Sequence, residues 1–290
     1  MVKTSRSHRV FQGVNGLILT FVVVVTLYPF ANIVARSFSG ERQIRAGEVT
    51  LWPKGFNLTT YKIVFHDSMF WRNYGNTVLY TVVSTAVAMA LTTCYAYVLS
   101  KKHLKGRTAL IGVAVFTMFF TGGLIPNYVL ITTFGLKNSV WAIALPNAIS
   151  VFNLLVMKAF FESLPTELEE AAQIDGLSTY GILLRIVLPL SKAVVATMVL
   201  FYSVSFWNSW FSAFLYMDRT DLMPVTVYLR NLIAGATGGG NAGATTDQLS
   251  QVGASIEAVT IVLTALPVIC VYPFVQRYFV SGVMLGAVKG

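Results

Sequence analysis

NTVLYTVVSTAVAMALTTCYAYVL, residues 76–99, decides the class of fold, because it runs for twenty-four residues without an Asp, Glu, Lys or Arg. A hydrocarbon core about 30 Å thick needs roughly 20 apolar residues at a helical rise of about 1.5 Å each. Backbone N–H and C=O groups find no water there, and a helix satisfies them within its own segment. The stretch therefore predicts a membrane-spanning helix. Working outward from it, residues 13–35, 108–134, 139–157, 193–217 and 258–275 are charge-free in the same way. The expectation is an all-α, polytopic membrane protein with six transmembrane helices in a single domain over residues 1–290.

Composition points the same way: of 290 residues, 55% are hydrophobic and 11% are charged, against about 25% charged in soluble domains. The first window follows Lys3, Arg6 and Arg9, but no small-residue cleavage site succeeds it, so it reads as a retained span and not as a signal peptide. An even number of spans puts both termini on one side. Residues 101–107, KKHLKGR, form a basic loop with no acid. Lys and Arg near span ends stay preferentially in the cytoplasm, which predicts that both termini are cytoplasmic. The net charge of +9 is then mostly topological, facing anionic lipid head groups, and needs no nucleic acid.

Cys94 and Cys270 both fall inside apolar windows and read as small buried residues. No CxxC exists, and His8, His66 and His103 lie outside the windows, so neither a metal nor a cofactor is expected. Two external loops, 36–75 and 218–257, are longer than adjacent helices need, which suits a partner contact or a lid. The second holds a glycine-rich tract at 235–243 that reads as a flexible linker; no Lys-Ser/Thr pair follows it to make a phosphate cradle.

The cytoplasmic loop 158–192 breaks the basic pattern with five acids against three bases. Thr166 with Glu169 fits a capping box, and Glu167, Glu169 and Glu170 suit the positive end of a helix dipole. Gly176 offers a left-handed stop, Ser178 a second cap, and Pro189 an end or kink. The product is a helix–Gly–helix elbow with small residues on one face.

The spacing within that elbow is specific. Glu170-Ala171-Ala172, then Gly176, then Ile186-Val187-Leu188-Pro189 resembles the EAA signature of ABC importer permeases at eight defined positions over twenty residues. The resemblance extends over essentially the whole chain, through Leu27-Tyr28-Pro29, Leu51-Trp52-Pro53-Lys54-Gly55-Phe56, Gly122-Gly123-Leu124-Ile125-Pro126, and the tail from Tyr272-Pro273-Phe274 to Gly290. It is similar to the carbohydrate branch typified by the maltose importer, and within it to permeases for oligosaccharides such as aldouronate or alginate fragments. The resemblance implies a type I ABC importer permease fold. It also implies a coupling helix at Glu170, Ala171, Ala172, Asp175 and Gly176 lodged in an ATPase cleft, and a tail with Gly286, Lys289 and Gly290 reaching between ATPase subunits. The implied partners are a homologous second permease, two ATPase subunits and an extracytoplasmic sugar-binding protein.

Candidate path residues are Trp207, Asn208 and Trp210 in the fifth window and Asn127 after the Gly-Gly-Leu-Ile-Pro break in the third. Asn is costly to face toward lipid, and aromatic rings beside a polar group suit a sugar. In maltose-type importers, however, the other permease supplies most sugar contacts. The chain has no P-loop, so ATP must be hydrolysed elsewhere and the chain is not itself an enzyme. A permease for a non-sugar solute is the alternative. An ion-coupled transporter would hold Asp, Glu or His at mid-depth, and none of the six windows contains one. A membrane hydrolase would need a motif such as G-x-S-x-G or H-E-x-x-H, and neither is present.

Overall fold

The computed structural model describes residues 6–238 and 253–287, and among them every regular element is helical. The first window lies in α1 (Arg6–Ser37). The first external loop carries α2 (Glu41–Arg45) and α3 (Thr59–His66). The second window lies in α4 (Ser68–Ser100), which starts eight residues before the charge-free run because Phe70, Trp71 and Tyr74 extend its apolar side. Val10–Ser37 and Ser68–Ser100 are each long and apolar enough to cross a bilayer unaided.

The third, fourth and fifth windows are broken where hydropathy alone is smooth. The third splits into α5 (Arg107–Phe119) and α6 (Leu124–Thr133), which meet at 111°. Gly123 makes this turn at φ 86°, ψ 176°, a conformation that L side chains resist. Pro126 was the expected source of the bend. It instead sits in the first turn of α6, where a missing N–H costs nothing. The fourth window divides into α7 (Trp141–Ala144) and α8 (Val151–Glu162), with Pro146 between them.

After α8 come α9 (Thr166–Ile174), α10 (Thr179–Ile182), a π-helical turn (Leu183–Val187) and α11 (Leu188–Leu190). The fifth window then divides into α12 (Lys192–Trp207) and α13 (Trp210–Tyr216). A short 3₁₀ turn (Thr220–Leu222) and α14 (Val225–Gly238) occupy what the sequence suggested was loop. The last helix, α15 (Gly253–Ala287), runs past the sixth window at both ends and contains Pro267 and Pro273. Residues 239–243 of the glycine-rich tract, and Lys289 and Gly290 of the tail, lie outside the described residues; Gly286 falls within α15.

The chain divides into two compact units. The first combines residues 1–68 with 229–266. There the first external loop folds back: the Asn32 amide donates to the Val49 and Thr50 carbonyls at 3.1 and 2.7 Å. The Thr60 and Ser255 hydroxyls share a 2.6 Å hydrogen bond, and the Ser255 backbone N–H donates to Glu41 at 3.1 Å. Phe38 stacks against Phe56 and Tyr61. This loop is thus a built element.

The second unit, residues 69–228 with 267–290, holds two apolar clusters. One gathers Leu99, Leu154, Met157, Phe161, Ile182 and Met198, and the other Tyr80, Ile143, Tyr202, Phe206 and Met217. Cys94 and Cys270 do not join such clusters. Both are exposed, contrary to expectation. Lipid solvates the outer face of a span, so lying within an apolar window does not imply burial in protein.

Candidate functional site

The elbow between α8 and α12 forms as its residues dictate, with one exception. Gly176 adopts φ 80°. Its N–H donates to the Gln173 carbonyl at 3.0 Å, and the Leu177 N–H reaches back to the Ala172 carbonyl at 3.0 Å. These two bonds are the Schellman pattern, with Leu177 and Ala172 supplying its apolar contact in the same cluster. The Ser178 hydroxyl then accepts from the Gly181 N–H at 3.3 Å and starts α10. Pro189 has no N–H for the Arg185 carbonyl, and the chain widens into the π turn just before it. At Ser191 the direction then changes by 88°.

The exception is the capping box. Thr166 is the first residue of α9, Pro165 precedes it, and no side chain caps that end. Glu169 is engaged elsewhere, paired with Lys101, whose ammonium also sits 3.9 Å above the Tyr97 ring. Beside this pair, Arg107 pairs with Glu162 and donates through Nε to the Leu99 carbonyl at 2.7 Å, while Lys158 reaches Glu162 at 2.9 Å. The basic loop 101–107 is therefore not purely topological. Two of its cations neutralise acids of the 158–192 segment and tie the elbow to the adjoining ends of α4, α5 and α8.

Burial divides the motif into two faces. Glu169 and Ala172 point inward, Ala172 at 4% exposure among Leu99, Phe161 and Ile182. Ala172 is small because the chain's own core leaves no room. Outward lie Glu170, Ala171, Asp175 and Gly176. They are accompanied by Leu168, by Ile174 at 87% exposure and by Tyr180 at 76%. An apolar row ringed by acids on a polar segment is the composition of a contact surface.

At the other end of the second unit, charged residues lace α4 to the segment after α13. Asp221 lies 2.7 Å from Arg219 and 3.1 Å from Arg72, and Lys137 is 2.8 Å from Asp218. The Asn138 amide oxygen accepts from the Asp218 N–H at 2.7 Å, and the Tyr80 hydroxyl donates to the Leu222 carbonyl at 2.7 Å. The Lys137 ammonium holds the Asp218 carboxyl below the usual carboxylate range, and the Arg219 guanidinium does the same for Asp221.

The four path candidates do not come together around one cavity. Trp207 is buried at the end of α12, edge-on to Tyr74 with ring centroids 5.8 Å apart. Asn208 is exposed, and its amide donates to the Val204 carbonyl at 2.9 Å, which closes the helix end. Trp210 packs against Phe211 and Phe214, and Asn127 is exposed in the first turn of α6. None of the four lines the cavity of about 690 Å³ beside the N-terminus of α8. Its polar lining is Asn147, Ser150, Asn153, Tyr202 and Ser205. The signal was available in the sequence: Asn147, Ser150 and Asn153 recur every third residue in a window otherwise almost wholly apolar.

The described residues thus make a polytopic, all-helical membrane protein with an exposed elbow on one polar loop and a cavity lined by amides and hydroxyls. No protein-family model matches the chain. It is 41% identical over 286 residues to Protein LplC of Bacillus subtilis, covering 99% of this chain and 97% of that one. It is 37% identical over 284 residues to the polygalacturonan/rhamnogalacturonan transport system permease protein YtcP of the same organism, covering 96% and 97%. Among solved structures, a bacterial ABC transporter involved in the import of the acidic polysaccharide alginate contains a similar chain. That chain matches with a TM-score of 0.86 and 32% identity over 96% of this chain and 100% of that one. The chain belongs to the permeases of sugar and oligosaccharide ABC transporters.

Proposed function

We propose that the chain is one of two homologous permeases of a binding-protein-dependent importer that moves a saccharide into the cytoplasm. Two ATPase subunits dock on the elbow, a sugar-binding protein delivers cargo to the opposite face, and both termini are cytoplasmic. On this reading the broken helices are segments of six spans. Closure of the ATPase pair draws the elbows of the two permeases together. Because α9 is tied to α4 and α8 through its inward face, that movement is passed to the spans as a rigid displacement.

The observation that carries this reading is the division of the elbow. Its inward residues are packed and paired within the chain, and its outward residues, Ala171 and Ile174 above all, are apolar, exposed and set on a rigid capped helix. Such a surface has no use without a partner. Ala171→Asp and Ile174→Asp test it, since both change the exposed face and leave the core intact. In reconstituted vesicles the variants should insert and pair with the second permease, yet lose ATPase subunits in pull-down or lose stimulation by loaded binding protein. Normal stimulation and uptake in both would show an ordinary solvated helix and defeat the reading.

A further inference from the structure

The cavity beside α8 has a polar wall, part of it bonded within the chain and part of it turned to the opening. Asn153 is 5% exposed and lines it. Among the described residues its amide has no hydrogen-bond partner, and neither do the side chains of Asn147 and Ser205. The neighbouring groups are engaged and hold the wall in place. Tyr202, also buried, shares a 2.6 Å hydrogen bond with Thr92, and its hydroxyl oxygen accepts from the Ser150 N–H at 2.9 Å. The Ser150 hydroxyl in turn accepts from the Asn153 N–H at 3.4 Å as the cap of α8. The wall is fixed by Tyr202, while the Asn153 amide is left free to act on whatever enters.

An amide on an otherwise buried residue calls for a polar partner, and the Asn153 amide opens onto the cavity. A volume of about 690 Å³ falls in the range of about 300–1,000 Å³ typical of small-molecule sites. Among the described residues no charged side chain lines the cavity, and Phe201 and Tyr202 supply aromatic surface beside the amides. Amide and hydroxyl groups that both donate and accept, set against rings, match a sugar's hydroxyls and C–H faces. They offer no counter-charge to a carboxylate.

We infer that Asn147, Asn153 and Ser205 form a saccharide subsite in this chain, which takes the uncharged, hydroxyl-bearing face of a sugar unit during passage. The inference rests on the saccharide reading above and assigns sugar contact to this permease, where the resemblance to maltose-type importers leaves most of it to the other. Recognition of any acidic group must then come from elsewhere in the assembly.

The test uses the full importer in vesicles with maltotriose, arabinotriose and trigalacturonate as probes. Asn153→Leu should raise KM for a transported probe roughly fivefold to tenfold, the size of one lost hydrogen bond. Because Asn153 is buried, Ser205→Cys in a background of Cys94→Ser and Cys270→Ser gives a second readout at an exposed position. Its modification by a small thiol reagent should slow several-fold when the probe is present. Transport of none of the probes by the unaltered importer would overturn the saccharide reading, and the subsite with it. Transport with unchanged KM in Asn153→Leu, together with labelling of Ser205→Cys that no probe slows, would overturn the subsite alone. So would protection that depends only on the second permease, which would assign the cavity to helix packing.

Discussion

Removing the ammonium of Lys101 should loosen the elbow without unfolding it. Lys101→Met keeps the length of the stem over Tyr97 and deletes the charge facing Glu169. Both side chains of the pair are about one-fifth exposed, at 21% and 19%. The cost therefore falls between that of an exposed pair, about 0–1 kcal/mol, and that of breaking a buried one, about 3–5 kcal/mol. Glu169 sits on a surface helix and can turn toward water, which discounts the upper figure, and about 1–2 kcal/mol remains. The rest of the elbow stays anchored through Ala172, Leu177 and Ile182 in the core. The expected result is a shift in the resting pose of α9, read as at most roughly fivefold to thirtyfold weaker retention of ATPase subunits, since about 1.4 kcal/mol is a factor of ten. The assay is titration of ATPase subunits onto permease in nanodiscs, alongside sugar transported per ATP hydrolysed. The exchange Lys101→Glu with Glu169→Lys should recover part of the loss. Recovery is partial because a carboxylate over the Tyr97 ring is repelled where the ammonium was attracted. Unchanged affinity in Lys101→Met, or a double variant no better than the worse single one, would refute the claim that this pair positions the elbow.

Three further outcomes are expected. Gly176→Val should destabilise the elbow by about 1–2 kcal/mol through its positive φ alone, since a Cβ there meets nothing within 4 Å; Gly176→Asn should cost less, and equal ATPase coupling in both variants would contradict the strain argument. At the charged lacing of α4, the Asp218 and Asp221 carboxyls are held below their ordinary value of 3.8. Their contribution is therefore complete above that value and disappears only as pH falls through the lowered pKa, so thermal stability should not lose this lacing between about pH 7 and pH 5. Asp221→Asn should remove the acid-side loss, and an unchanged acid limb would dissociate these pairs from it. Finally, single cysteines at Lys102 and Glu167 should be shielded from an impermeant thiol reagent in intact spheroplasts, while one at Arg219 is labelled, in a background without the exposed Cys94 and Cys270. Labelling at Lys102 with protection at Arg219 would invert the topology.

Several features were legible in the chain itself because they depend on neighbours within a few residues. The charge-free window at 76–99 dictates a helix wherever it lies, since a bilayer leaves its backbone no other partner. Gly176 and Ser178 dictate a stop and a start for the same local reason, and both are realised by bonds spanning at most five residues. The family signature is likewise a matter of spacing along the chain. What tertiary structure alone decided was which way each side chain faces and what meets it. Ala171 and Ala172 are indistinguishable by composition, yet one is exposed and the other is buried in a cluster that includes Leu99 and Met198 from helices far along the chain. Glu169 looked like half of a capping box, but a cation 68 residues away claims it. Asn208 and Asn153 read alike as polar residues in apolar windows. The first is satisfied by its own helix end, and the second lines a cavity whose opposite wall comes from α12. Local bonds select helices and turns, whereas burial and pairing depend on contacts whose separation in sequence is too great for any short pattern to encode.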